Sequence, residues 1–222
     1  MSADDARATV LARIRDALGD RDPRPTDPPP AAPAPATTTG PPDPAAERQR
    51  ADRFAAAVAD YRAVVVRATD DEVAAALDRE LERLGATRVA VADGLPERWR
   101  PTLATEPGNA LAVERLTALD AVVTGARAGI ARTGTIVLDH AADQGPRRLT
   151  LVPDRHLCVV RAADVVEDVA DAFAVLGPQA AAADGPGITF VSGPSATSDI
   201  ELQRIEGVHG PRTLVVVLVG VW

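Results

Sequence analysis

The side chains best suited to chemistry are concentrated in SGPSATSDIE, residues 192–201, directly after the apolar run 188–191. Hydroxyls, two carboxylates and a Gly-Pro pair follow a predicted strand, and open α/β sheets bind ligands beyond such strand ends. A nucleophilic serine needs a base within reach, and no spacing identifies one among the three histidines. We therefore predict ligand contact without covalent catalysis, and we assign no catalytic residue.

The same stretch also has the composition of a helix start. Ser195, Thr197 or Ser198 can cap a following helix, and its first turn then favours the negative charges of Asp199 and Glu201. This interpretation needs no ligand, and the residues alone leave both interpretations open. The candidate ligand-binding residues of the stretch are Ser192, Gly193, Ser195, Ser198, Asp199 and Glu201.

A glycine-rich segment, GARAGIARTGTIVL, occupies residues 125–138. It fits neither a phosphate-binding loop, which needs lysine where Thr135 stands, nor the glycine spacing of a dinucleotide-binding turn. Thr133, Gly134 and Thr135 enter a strand, where amides and hydroxyls can face an anionic ligand. The alternative is that the glycines only permit tight turns and close packing.

The segment EGVHGPR, residues 206–212, adds His209 and Gly210 to the candidate ligand-binding residues. An imidazole has a reference pKa near neutrality, so it suits a proton carrier, although many loop histidines only form hydrogen bonds. The segment lacks the repeated histidines or carboxylates of a metal site. We therefore predict no metal ligands here.

Charge and hydropathy limit the classes of partner. Acidic residues outnumber basic ones by 32 to 24, the formal net charge is −8, and only 3% of residues are aromatic. Nucleic-acid surfaces need positive charge and stacking side chains, so we expect no nucleic-acid partner. The longest strongly apolar run, residues 214–221, is too short to cross a bilayer. We expect no membrane span and a cytoplasmic location.

Cys158 is the single cysteine of the chain. One cysteine excludes a disulfide framework and any self-contained iron–sulfur or structural zinc site. It lies in HLCVVR, a predicted buried strand, where a thiol is inert. We therefore expect no cofactor in this chain.

The chain has three predicted regions. Residues 1–19 form an amphipathic helix, with apolar residues at helical spacing. Residues 20–44 hold ten of the 19 prolines and form a linker that cannot bury enough apolar surface to fold. Residues 45–222 alternate between strand and helix patterns and form an α/β domain.

The strands of this domain lack apolar–polar alternation, as expected when helices cover both faces of a sheet. The predicted fold class is therefore α/β, with a mostly parallel central sheet and flanking helices. Closely spaced strand patterns between residues 135 and 161, including RRLTLVP at 147–153, predict a hairpin or an antiparallel portion. The sequence thus predicts a central sheet that is either mostly parallel or mixed.

Three stretches together resemble the LUD-domain family of lactate utilisation proteins: residues 122–138, 147–166 and 188–219. The resemblance covers most of residues 50–222 and extends to the helix LARIRDALG near the N-terminus. It implies an α/β superfold similar to that of ribose-phosphate isomerase and CoA transferases (NagB/RpiA/CoA transferase-like). It also implies a role in bacterial oxidation of L-lactate to pyruvate, together with iron–sulfur partner proteins.

The resemblance does not define the task of this subunit. Since the chain has one cysteine and no flavin or nicotinamide fingerprint, we expect an accessory or substrate-handling subunit, with a small carboxylate ligand and iron–sulfur clusters in the partners. The alternatives are a free-standing enzyme acting on a phosphorylated or CoA-like metabolite, and a regulatory or scaffold module. One departure concerns Arg132, which occupies a position that is commonly acidic in the family.

Overall fold

The computed structural model describes residues 3–18, 43–178, 187–197, 205–206, 210–220 and 222. The chain divides into two compact units, residues 1–34 and 35–222. In the first unit, helix α1 spans Ala3–Leu18, where the apolar spacing predicted a helix. The predicted linker lies outside the described residues except for its last two positions, and the domain boundaries stay a prediction.

The second unit contains five further helices and twelve strands within its described part. The helices are α2 (Pro44–Asp60), α3 (Val73–Arg83), α4 (Val113–Leu116), α5 (Arg147–Leu151) and α6 (Val169–Leu176). The strands are β1 (Val64–Ala68), β2 (Val89–Val91), β3 (Thr105–Pro107), β4 (Ala121–Thr124), β5 (Ala128–Ile130), β6 (Thr135–Leu138), β7 (Arg155–Arg161), β8 (Val165–Val166), β9 (Thr189–Val191), β10 (Ala196–Thr197), β11 (Ile205–Glu206) and β12 (Thr213–Val219). None of the described helices is long and apolar enough to cross a membrane.

Six parallel strands form the central sheet, in the order β1-β12-β7-β4-β2-β3. On one face of β12, Val215 and Val217 belong to a core cluster with Leu77 of α3. On the other face, Val216 belongs to a cluster with Phe54 of α2. Apolar side chains on both faces of β12 are therefore covered, which explains the lack of alternation. The predicted α/β class with a mostly parallel central sheet is confirmed.

A separate four-stranded sheet, in the order β8-β5-β6-β9, contains the antiparallel pairs β5–β6 and β6–β9, and β10 and β11 form a further antiparallel pair. Of the range 135–161 that was predicted to contain an antiparallel portion, only β6 lies in this second sheet, whereas β7 pairs parallel with both of its neighbours in the central sheet. The predicted strand at residues 147–153 is wrong, because Arg147–Leu151 form helix α5. Leu149 of this short helix is fully buried in a cluster with Ala90 and Val122. The relation to the ribose-phosphate isomerase superfold stays a prediction.

Candidate functional site

The order of the central strands creates a crevice between β2 and β4. After β2 the chain forms β3, which lies next to β2 on the side away from β4. After β4, the next strand of this sheet is β7, which lies next to β4 on the side away from β2. At such a reversal the loops leave the carboxyl ends of adjacent strands in opposite directions, and open α/β sheets bind ligands there. The loops after β2 and β4 begin at Ala92 and Gly125 respectively.

A cleft of about 430 Å³ opens at this crevice, a volume within the usual range of ligand pockets. We call it the charged cleft. It is closed on one side by residues 139–144, which follow β6, and on another by the end of β7. Its chemically relevant lining residues are Trp99, Arg127, Asp139, Asp143, Gln144, Arg161 and Asp164.

Gln144 holds the loop of the charged cleft in place. This side chain is 2% exposed, and its carbonyl oxygen accepts hydrogen bonds from the backbone N–H groups of Asp139 at 2.8 Å and His140 at 3.2 Å. Its amide nitrogen donates to Asp139 Oδ1 at 2.8 Å. His140 has a left-handed backbone conformation with φ 59°, which is uncommon for a residue other than glycine. The side-chain amide of Gln144 thus supplies the hydrogen bonds that regular secondary structure does not provide in this turn.

Two glycines allow the same loop to approach the strand ends. The N–H of Gly94 donates to Ala142 O at 2.9 Å, and that of Gly125 donates to Asp143 O at 2.7 Å. A Cβ at Gly94 would lie 2.7 Å from backbone atoms of residues 142–143, and a Cβ at Gly125 would lie 2.5 Å from Asp143 Oδ2. The sequence therefore permits close contact by omitting side chains at both strand ends.

Two carboxyl groups of the charged cleft, those of Asp143 and Asp164, have raised pKa values. Burial raises the pKa of the half-buried Asp143 carboxyl, and the neighbouring charge of Asp139 raises it further. Asp164 is exposed as a residue, but partial desolvation still raises the pKa of its carboxyl, against the lowering effect of Arg161 and Arg127. Carboxyl groups with raised pKa values in a cleft are typical of functional sites.

Two guanidinium groups provide the positive charge of the cleft. Arg127 Nε lies 3.6 Å from Asp139 Oδ2, and another nitrogen of this guanidinium donates to Val175 O at 2.8 Å. The Arg161 guanidinium lies 4.8 Å from the centroid of the Trp99 ring, a cation–π distance. It makes no hydrogen bond to any described residue, so its donors are available to an anion. The arrangement can bind a carboxylate and exchange a proton beside it.

A second pocket of about 290 Å³ lies beside the amino-terminal halves of β7 and β12. We call it the His156 pocket. Its walls come from the end of α5, from β9 and the loop that follows it, and from residues 210–211. No charged side chain is present among the described residues that line it: Thr150, Leu151, His156, Thr189, Phe190, Val191, Ser192, Gly193, Pro194, Ser195, Gly210, Pro211 and Leu214.

His156 belongs to a buried polar network between β4 and β7. Its Nε2 lies 2.7 Å from Thr124 Oγ1, and this hydroxyl donates to Gly125 O at 2.9 Å. The Cys158 thiol contacts the same carbonyl oxygen at 3.4 Å. Burial lowers the pKa of His156 to about 4 and raises that of Cys158 to about 12. At neutral pH the imidazole is uncharged and the thiol is inert, as predicted for Cys158.

The model of a family described as LUD domain matches residues 65–219 of the chain. The chain belongs to the LUD domain family. The match includes all described residues that line the charged cleft and the His156 pocket. It confirms the family expected from the sequence stretches.

Two curated relatives and one solved structure are similar to this LUD domain chain. "Lactate utilization protein C" of Deinococcus radiodurans is 41% identical over 183 residues, or 81% of this chain and 84% of that protein. A protein of the same name from Bacillus licheniformis is 34% identical over 91 residues, or 40% of this chain and 38% of that protein. The crystal structure of a DUF162 family protein from Deinococcus radiodurans has a TM-score of 0.64 and 33% identity, covering 78% of this chain and 98% of that one.

Within the LUD domain, part of the predicted ligand-binding set lies together. Ser192, Gly193, Ser195 and Gly210 line the His156 pocket, and the Ser195 N–H donates to Pro211 O at 2.8 Å. The other predicted residues of this region, Ser198, Asp199, Glu201 and His209, lie outside the described residues. Ligand binding by the whole set stays a prediction.

Thr133 and Thr135 extend this group by a chain of hydroxyls. Their Oγ1 atoms lie 2.8 Å apart, and Thr135 Oγ1 lies 2.8 Å from Ser192 Oγ. Gly134 has φ 60°, and a Cβ there would lie 2.6 Å from the backbone carbonyl carbon of Ala57 in α2. Close packing therefore explains this glycine without a ligand, whereas the threonine hydroxyls hold the start of β6 to the loop after β9.

The helix-start interpretation is partly excluded. Residues 196–197 form β10, which pairs antiparallel with β11, so no helix begins directly after Ser195. A helix beginning at Ser198 lies outside the described residues.

Arg132 forms an ion pair with Asp168 at the start of α6. It is not among the described residues that line the charged cleft or the His156 pocket. Its charge is thus compensated within the second sheet region.

The sequence interpretation missed the charged cleft. Its residues come from separate segments of the chain, and only the fold brings Trp99, Arg127, Asp143 and Asp164 to one place. One signal was available, since two predicted strands end in glycine beside charged residues, at VADG and VVTGAR. No group of three or more metal-binding side chains occurs in the part of the chain that the structure describes.

Proposed function

We propose that this chain is the accessory, substrate-handling subunit of a bacterial lactate utilisation system, which oxidises L-lactate to pyruvate together with iron–sulfur partner proteins. The names of the similar proteins from Deinococcus radiodurans and Bacillus licheniformis support the role in lactate utilisation. Electrons leave the substrate through the partners, because the only cysteine of this chain is buried and unable to assemble a cysteine-bound cluster.

The charged cleft is the proposed position of the small carboxylate. The observation that carries this assignment is that Arg161 and Asp143 line the same cleft at the crevice between β2 and β4. Arg161 supplies hydrogen-bond donors to a carboxylate. The raised pKa of Asp143 lets this side chain accept or return the proton of a neighbouring hydroxyl group. A 2-hydroxy acid such as L-lactate presents both groups on adjacent carbons.

Calorimetric titration of the full chain with L-lactate, and separately with uncharged L-lactamide, tests this assignment. Lactate binds, whereas lactamide binds at least about tenfold more weakly, because it lacks the charged acceptor for Arg161. The Arg161→Gln variant weakens lactate binding by a similar factor. The matched control Arg83→Gln removes an exposed guanidinium of α3 and keeps normal binding. Equal affinities for lactate and lactamide would exclude carboxylate recognition by this cleft.

Growth on L-lactate tests the proposed role in the cell. A strain lacking this chain fails to grow on L-lactate, the wild-type chain restores growth, and Arg161→Gln at equal protein level restores it poorly. Iron–sulfur proteins co-purify with the wild-type chain and with Arg161→Gln alike, because Arg161 faces the cleft. Purification of the chain without any iron–sulfur protein from lactate-grown cells would contradict the subunit role.

A further inference from the structure

The His156 pocket is lined by a buried imidazole, and one of its two ring nitrogens has no hydrogen-bond partner among the described residues. His156 is 1% exposed, and its Nε2 is engaged by Thr124. Its Nδ1 has no hydrogen-bond partner among the described residues. No fully enclosed nitrogen or oxygen of a described side chain lacks a partner. Nδ1 is therefore not fully enclosed, and the pocket is the open space that the His156 side chain lines.

The network behind the ring defines the role of this nitrogen. The Thr124 hydroxyl has a single proton, which it donates to Gly125 O. The tautomer that fits this bond has its proton on Nε2, which donates it to Thr124 Oγ1 at 2.7 Å. Nδ1 is left with a lone pair. The pocket thus presents a hydrogen-bond acceptor, and a matching ligand brings a donor.

The other walls of the pocket, as far as the structure describes them, offer no charge to a ligand. They include the apolar side chains of Leu151, Phe190 and Leu214. The hydroxyls of Thr150 and Thr189 are already engaged, by Arg147 O at 3.2 Å and by His140 Nε2 at 2.8 Å. An ionised group buried against such walls loses its hydration without gaining an opposite charge.

We propose that the His156 pocket is a second ligand site, which binds a small, uncharged, mainly apolar molecule through a hydroxyl or amide N–H donated to His156 Nδ1. This site is separate from the charged cleft and does not depend on the proposed role in lactate utilisation. Its ligand is distinguished from lactate by the absence of a carboxylate. An unpartnered acceptor in a formed apolar pocket is the typical arrangement for orienting such a ligand.

Two probes of nearly equal shape, benzyl alcohol and benzyl methyl ether, test the proposal on the full chain. The protein is labelled with ¹⁵N-histidine, and long-range proton–nitrogen correlation spectra resolve the ring nitrogens, with His156 assigned from the His156→Phe variant. Benzyl alcohol produces a saturable shift of the Nδ1 resonance. The ether binds roughly tenfold more weakly, since it leaves Nδ1 unpaired. Equal responses to both probes, or no response to either, would overturn the proposal.

A variant that leaves His156 in place provides a second test. Leu151→Phe adds volume to the half-buried wall of the pocket and abolishes the saturable shift with benzyl alcohol. Leu103→Phe makes the same change at a half-buried leucine that does not line the pocket, and it retains the response. An unchanged response in Leu151→Phe would show that the alcohol binds elsewhere. If Leu151→Phe does not fold, the two probes on the wild-type chain decide the question.

Discussion

The charged cleft opens where β2 and β4 end, whereas the His156 pocket lies beside the beginnings of β7 and β12. The first contains three aspartates and two arginines, and the second has no charged side chain among its described residues. Partial burial raises the pKa of Asp143, and full burial lowers the pKa of His156. Both shifts have one cause, because desolvation disfavours whichever form is charged. One sheet thus supports a cleft lined by charged side chains and a pocket whose described lining is uncharged.

The two regions consequently respond to acid in opposite directions. Where the unfolded chain binds more protons than the native chain, stability falls as the pH is lowered. This applies to His156, whose native pKa is depressed. Asp143 has a raised native pKa, so the native chain binds its proton more tightly, and the stability it contributes is lost as the pH rises through that value. The comparison can therefore be tested residue by residue.

The largest expected effect concerns His156. Its unfolded pKa of 6.5 and native pKa of about 4 predict that about 3 kcal/mol of unfolding free energy is lost as the pH falls from 6.5 to 4. The His156→Phe variant lacks this loss. Urea unfolding at a series of pH values measures the difference in slope between wild type and variant. Parallel slopes would show that the imidazole has the same pKa in the native and unfolded chains.

The next effect concerns the loop of the charged cleft. Gln144→Ala leaves the N–H groups of Asp139 and His140 without their acceptor, which costs about 2 kcal/mol of unfolding free energy. Urea unfolding at pH 7 measures this loss, and hydrogen exchange of the two amides becomes faster. Gln49→Ala, on the exposed face of α2, serves as the control and changes the free energy by less than about 0.5 kcal/mol. Equal values for both variants would mean that Gln144 does not hold the loop.

The smallest effect concerns Asp143. Asp143→Asn removes a partly desolvated charge, so at pH 7 it stabilises the chain by less than about 1 kcal/mol, because the carboxylate keeps part of its solvation. The gain shrinks as the pH falls and Asp143 of the wild-type chain becomes protonated. This trend is opposite in sign to that of His156. A loss of stability in Asp143→Asn at neutral pH would indicate that the ionised carboxylate is stabilised by its neighbours.

The sequence was most informative where one physical signal dominates. In β12, every residue from 214 to 219 is apolar. A strand that is buried on both faces of a parallel sheet requires such a continuous apolar run. It was misleading at residues 147–151, because five residues are too few for periodicity to separate a strand from a helix. Leu149 is buried in either structure, so its hydrophobicity could not decide between them.

The sites were only partly predictable for a related reason. Ser192, Gly193 and Ser195 lie close together in the chain, so sequence alone places them at one location, and they line one pocket; ligand binding there stays a prediction. The charged cleft depends on long-range topology, since Asp143 reaches Gly125 only after β4 and the loop beyond β6 have been placed. A sequence pattern reports neighbours along the chain, whereas this cleft is defined by the order of strands.

Thr124 lies between the two sites. Its hydroxyl contacts His156 in one, and the next residue, Gly125, donates its N–H to Asp143 O in the other. Binding free energies are reciprocal, so a ligand of one site that changes affinity at the other has its own affinity changed by the same factor. A ligand that displaced the end of β4 would therefore act on both sites at once, since Thr124 and Gly125 are consecutive residues.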